Sequence, residues 1–153
     1  MRIVLDTNIL VRANPKTSPE GLARELLRRA AYGPATLLVS EPLLAELERV
    51  LRYPRLQARW PLSDADIADY LKFLRGVAAF VELEEGWAVV PDDPDDDPIV
   101  QTAVIGRADV LCTRDPHFSH PVVRALCGAY GVRIVSDTAL MKELRGADRP
   151  TDA

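Results

Sequence analysis

Residues 1–8 read MRIVLDTN, and the break between Leu5 and Asp6 decides the fold. Ile3, Val4 and Leu5 make a short apolar run of the kind buried on both faces of a parallel sheet. The run stops abruptly at Asp6-Thr7-Asn8, three residues that bond readily to nearby backbone amides, so the segment predicts a turn opening a short helix around Ile9 to Arg12. An apolar strand that ends on an acid and passes into a helix is the first half of a βαβ unit.

Working outward, the same unit recurs. Thr36 to Val39 is a second strand ending at Ser40, followed by a helix over Glu41 to Tyr53. Val77 to Leu83 reads as the third strand, with Trp87 to Val90 as a short extension. ADVLC, Ala108 to Cys112, is the fourth and ends in TRD. Val132 to Val135, behind Gly131, is the fifth, and Ser136 caps a last helix carrying Leu140, Met141 and Leu144. Other helices are marked by Pro19 ahead of Leu22, Leu26, Leu27 and Ala30, and by a Ser63–Asp66 pair resembling a capping box ahead of Ile67, Tyr70, Leu71 and Leu74. Asp97-Pro98 fits an N-cap followed by proline at the first helical position, with Ile99, Val100, Ala103 and Val104 as the apolar face. A further helix covers Phe118 to Leu126. Arg55 to Pro61 reads as a polar connection. Strands alternating with helices predict an α/β, doubly wound, mostly parallel sheet in one domain over residues 1–145, with a polar tail over 146–153.

The chain has 153 residues, 48% hydrophobic and 27% charged, the composition of an ordinary globular domain rather than a disordered one. Its net charge of -4 argues at first against a nucleic-acid binder. Five aspartates lie within Asp92 to Asp97, however, which leaves 18 acidic against 19 basic residues elsewhere. Cys112 and Cys127 have no zinc-site spacing and read as buried thiols. No apolar run approaches a membrane span, and Asp6 interrupts the only stretch resembling a signal peptide, so a cytoplasmic protein is expected.

Strand C-termini in a parallel sheet share one edge, so residues just beyond different strands converge however distant they are in sequence. Asp6, Asp97 and Asp115 occupy such positions. On a helical wheel Leu43, Leu47, Val50 and Leu51 form one stripe and Glu41, Glu48 and Arg52 lie opposite, whereas Glu46 borders the apolar face and is the carboxylate placed to reach a cleft. Each aspartate alone serves equally as a cap worth about 1 kcal/mol to its helix or turn. Independent caps need not converge, though, and carboxylates that do converge repel unless a cation holds them. One or two hard ions, Mg²⁺ or Mn²⁺, suit an all-oxygen set and phosphodiester hydrolysis.

DTNIL after a first strand, Glu46 on a helix ending in ERVL, DDDPIV opening a helix and TRD after the fourth strand together resemble the PIN-domain ribonucleases, especially the VapC-like toxin components of bacterial toxin–antitoxin pairs. The resemblance runs from Met1 to about Leu144. It implies a three-layer α/β/α fold with a five-stranded parallel sheet in the order 3-2-1-4-5. It also implies Mg²⁺- or Mn²⁺-dependent cleavage of single-stranded RNA, with Asp6, Glu46, Asp97 and Asp115 as ligands and catalytic acids. Asp96 is the alternative to Asp97, and Asp95 also lies close. Asn8 matches a turn position that helps arrange the first acid, and Thr113 a hydroxyl residue near the site. The family often has Gly where Arg114 stands. A homodimer and a partner antitoxin are further implications.

Arg12, Lys16 and Arg114 adjoin the acidic motifs and are the cations placed to meet phosphate, although exposed solvating charge is the simpler reading of each. Arg49, Arg52, Arg55 and Arg59 can form a peripheral basic strip. His117 and His120 read as structural or solvated residues of a polar loop. Two rival functions fit less well. A phosphoacceptor receiver needs a lysine after its last strand, where this chain has Ser136 and Asp137; a silent RNA- or protein-binding module has no need of all four acids.

Overall fold

The computed structural model describes residues 1–16, 21–83 and 97–149. Five strands, β1 (Arg2–Leu5), β2 (Thr36–Val39), β3 (Ala79–Phe80), β4 (Val110–Cys112) and β5 (Arg133–Val135), form one sheet in the order β3-β2-β1-β4-β5. Every pairing is parallel. This is the expected topology, with the first strand in the centre: Ile3 pairs with Leu37 on one side and with Val110 on the other.

The central strands are buried on both faces, as their unbroken apolar runs require. Ile3, Val4, Leu5, Leu38, Val39, Val110, Leu111 and Cys112 are all fully buried. Among the described residues eight α-helices surround them: α1 (Thr7–Ala13), α2 (Leu22–Tyr32), α3 (Glu41–Leu51), α4 (Pro54–Arg59), α5 (Asp64–Val77), α6 (Asp97–Ile105), α7 (Pro121–Ala129) and α8 (Asp137–Ala147). α2 packs on α1 and α8, while α6 lies against β1, β2 and β4 and touches α3 and α7. Arg29–Asp148 and Arg145–Glu25 ion pairs at 2.5 and 2.8 Å clamp α2 to the end of α8. Both cysteines are free and buried. Among the described residues no helix is long and apolar enough to cross a membrane.

Local signals explain most element ends. Ser63 and Asp66 make the complete reciprocal capping box at the start of α5. Ser40 Oγ accepts from the Leu43 amide to cap α3. Gly106, just past α6, has no room for a side chain: a Cβ there would lie 2.7 Å from Val81 and 3.0 Å from Leu38.

Three expectations need correction. The third strand is two residues long, since Val77 completes the last turn of α5 and Val81 to Leu83 lie beyond the strand. Arg55 to Pro61 is not a plain connection but largely the short helix α4, started by Pro54 in the first turn. α8 includes Gly146 and Ala147, two residues that sequence assigned to the tail. Pro19, the Trp87 to Val90 extension, and Asp95 and Asp96 lie outside the described residues, as does the side chain of Asp97.

Candidate metal centre

The edge formed by the strand C-termini is built by the sheet register itself. The Asp6 amide continues the ladder by donating to the Cys112 carbonyl at 3.0 Å, and the Thr113 amide does the same to Val135 at 3.0 Å. Asp6 and Thr113 are thereby set side by side at the ends of β1 and β4. Thr113 Oγ1 donates to Asp6 Oδ2 at 2.8 Å, and the same hydroxyl accepts the Asp115 amide at 3.0 Å. One buried hydroxyl therefore ties the first acid to the backbone of the fourth.

Asp6 stands at the N-cap position of α1, yet its side chain makes no capping hydrogen bond. A carboxylate that only capped its helix would spend its oxygens on the first-turn amides. This one is 3% exposed and, besides the Thr7 amide, accepts from the Thr113 hydroxyl across the sheet edge. Burial pushes its pKa from the ordinary 3.8 up to about 6; the Thr113 bond, the Thr7 amide and the Arg12 guanidinium oppose that rise, and the Asp115 carboxylate adds to it. A hard cation would offset both the burial and the like charge.

Glu46 reaches the same edge from α3, where it accepts a hydrogen bond from Thr7 Oγ1 at 3.3 Å. Its neighbours point elsewhere, as the wheel predicts: Glu48 pairs with Arg52, and Glu41 with Arg75. α6, which begins at Asp97, enters from the same side. It is pinned there by a buried Ser40–Thr102 hydroxyl pair at 2.7 Å, while Thr102 Oγ1 itself donates within the helix to the Pro98 carbonyl at 2.6 Å. Asp115 has a local role too, since its Oδ1 accepts the His117 amide at 3.0 Å and caps the 3₁₀ turn Pro116–Ser119.

Among the described residues, which do not include the Asp97 side chain, no three His, Cys, Asp or Glu side chains group closely enough to hold a metal. Thr113 Oγ1 bonds the Asp6 carboxylate and the Asp115 amide, and Thr7 Oγ1 bonds the Glu46 carboxylate. A set made of these carboxylates would offer only oxygen donors, the chemistry that suits a hard divalent cation.

A cleft of about 550 Å³ opens beside Asp115, lined by Asn8, Arg12, Leu56, Trp60 and Arg114 among others. Three of the expected substrate-binding residues, Asn8, Arg12 and Arg114, share this wall, whereas Thr113 is buried behind it. Lys16 does not join them; it pairs with Asp66 at 3.9 Å and lines a different groove with Tyr70 and Phe73. Arg52 is engaged by Asp64 and Glu48, which removes it from the basic strip. His120 caps α7 through Nδ1, which accepts the Val122 amide at 3.2 Å, and His117 Nδ1 lies 3.4 Å from Asp115.

Sequence reasoning missed two participants. Asp137, directly after β5 and its Ser136 cap, is almost fully buried and holds Arg114 Nε at 3.2 Å. An acid close behind the fifth strand was the available signal. Trp60 was hidden because α4 was not expected.

A family model described as PIN domain matches residues 2–117. No curated protein matches the sequence. Among solved structures, VapBC2 from Rickettsia felis bound to a DNA fragment from their promoter is similar, with 17% identity, a TM-score of 0.54, and coverage of 88% of this chain and 98% of that one.

Proposed function

Because the chain belongs to the PIN-domain family, we propose that it is a metal-dependent endoribonuclease cutting single-stranded RNA, and the toxin of a toxin–antitoxin pair. Asp6, Glu46, Asp97 and Asp115 are the ligands and catalytic acids. The observation that carries the reading is Asp6: a buried carboxylate at a helix start, without an N-cap hydrogen bond, tied by Thr113 to the backbone of Asp115.

When bound, one or two Mg²⁺ or Mn²⁺ ions supply positive charge and an activated water for attack on a phosphodiester. The protein's part is positional. Thr113 fixes Asp6 relative to the Asp115 backbone, Thr7 steadies Glu46, and the Ser40–Thr102 pair anchors the helix that brings Asp97. Arg12, Arg114 and Asn8 meet the phosphate chain along the cleft. An antitoxin partner, a homodimer and a cytoplasmic location are carried over from the resemblance to the VapC-like toxins.

The test is metal removal. Purified protein should cut unstructured RNA in Mg²⁺ or Mn²⁺, lose at least about a hundredfold in rate with chelator, and recover when Mn²⁺ is restored. Cleavage that persists undiminished in chelator contradicts the assignment.

A further inference from the structure

α4 is an odd element for a small domain: six residues long, it buries no side chain completely. It is nevertheless firmly held. Gln57 Nε2 donates to the Leu51 carbonyl at 2.7 Å and its Oε1 accepts the Leu62 amide at 3.0 Å, so one side chain clasps the chain before and after the helix. The Trp60 amide closes the helix on the Leu56 carbonyl at 2.8 Å. This rigid element brings Leu56 and Trp60 to the wall of the cleft that holds Asp115.

Trp60 is half-buried, and the Arg59 guanidinium lies over its ring at 4.4 Å from the centroid. The cleft also contains Arg12, Asn8 and Arg114. Arg114 is no free-swinging surface arginine, because buried Asp137 fixes its Nε at 3.2 Å. An aromatic plane beside fixed cations is the arrangement that binds single-stranded nucleic acid, in which bases stack on rings while arginines follow the phosphates. The volume of about 550 Å³ lies in the range of small-ligand sites, enough for about one nucleotide.

We propose that Trp60 is a base-stacking residue that seats the unpaired nucleotide flanking the scissile phosphate, with Asp137-anchored Arg114 and Arg12 gripping that nucleotide's phosphates. The proposal rests on the endoribonuclease reading for its substrate. It makes the α4 cleft a determinant of where the RNA is cut, since stacking strength differs among bases.

Binding and cleavage are measured separately so that the two readings can fail separately. The probe is a single-stranded oligoribonucleotide mapped for its cut site, a 2′-deoxy version of it, and versions abasic at either nucleotide beside the cut. If no RNA is cut, an unstructured oligonucleotide pool is used for binding alone. The Trp60→Phe and Trp60→Leu proteins are first checked for unchanged thermal melting. Wild type should show quenching of indole fluorescence on binding, and Trp60→Leu should lose that quenching and bind at least about tenfold more weakly, with Trp60→Phe close to wild type. In kinetics the loss should appear in KM, with kcat nearly preserved. One abasic version should weaken wild type as much as Trp60→Leu does and leave Trp60→Leu unaffected. If Trp60→Leu and Trp60→Phe bind alike, or the abasic penalty is undiminished in Trp60→Leu, stacking is refuted; a fall in affinity for a partner protein but not for RNA refutes it equally. Absence of all cleavage removes the nuclease assignment, and the binding arm still decides the role of Trp60.

Discussion

Asp6→Asn is expected to lower RNA cleavage by at least about a hundredfold, roughly 2.7 kcal/mol of transition-state stabilisation, while making the metal-free protein more stable. The two effects have one cause. Burial raises the Asp6 pKa in the folded chain from 3.8 to about 6, so the unfolded chain holds the ionised form more favourably. A raised folded-state value favours folding most at low pH: the advantage is full below about 3.8, shrinks through the interval, and is gone above about 6. At pH 8 wild type therefore carries an ionised, buried carboxylate at a cost on the order of 2–3 kcal/mol, which Asn does not. Asn can still accept from Thr113. Melting curves without metal should thus show Asp6→Asn above wild type at pH 8, with the gap closing towards pH 4. Added Mn²⁺ should raise the melting temperature of wild type only. A variant that melts lower at pH 8, or that keeps its activity, contradicts the reading of Asp6 as a functional rather than structural acid.

The second large effect falls on a residue that is not itself a ligand. Thr113→Val keeps the shape of the side chain but removes the hydroxyl that donates to Asp6 and accepts from the Asp115 amide. Asp6 then loses its orienting partner and the Asp115 N–H loses its acceptor, a loss worth about 1–3 kcal/mol of stability where water cannot replace it. Cleavage should fall about ten- to a hundredfold with the change mainly in kcat, because geometry at the acids is disturbed and the RNA cleft is not. Thr113→Ser should restore most of the rate. Equal defects in Ser and Val would mean that packing, not the hydroxyl, is what Thr113 supplies.

The fold was largely legible because the strands of a doubly covered sheet leave unmistakable runs: RIVL, TLLV and VLC are apolar without alternation, and each stops at a polar residue on the same edge. Helical periodicity separates Glu46 from its acidic neighbours, and the structure turns it to Thr7 while Glu41 and Glu48 pair with arginines. What escaped had weaker local signals. α4 has no apolar periodicity, only Leu56 among polar residues, and owes its place to Gln57 bonds across the chain. The third strand starts later than expected because Val77 suits helix and strand equally well, and α5 was already in progress. The burial of Asp137 depends on β5 and Arg114, contacts that no window around Ser136 reveals. The four-acid set is a proposal from topology, beside which the structure shows one hydroxyl, that of Thr113, bonded to the Asp6 carboxylate and the Asp115 amide.

Crystals soaked in Mn²⁺ and measured at the manganese absorption edge address the central claim most directly. Anomalous density should appear between the carboxylates of Asp6, Glu46, Asp97 and Asp115, with oxygen ligands only, and should vanish in Asp6→Asn. Manganese bound elsewhere, or four carboxylates directed to separate surfaces with no ion among them in fully soaked crystals, would contradict it.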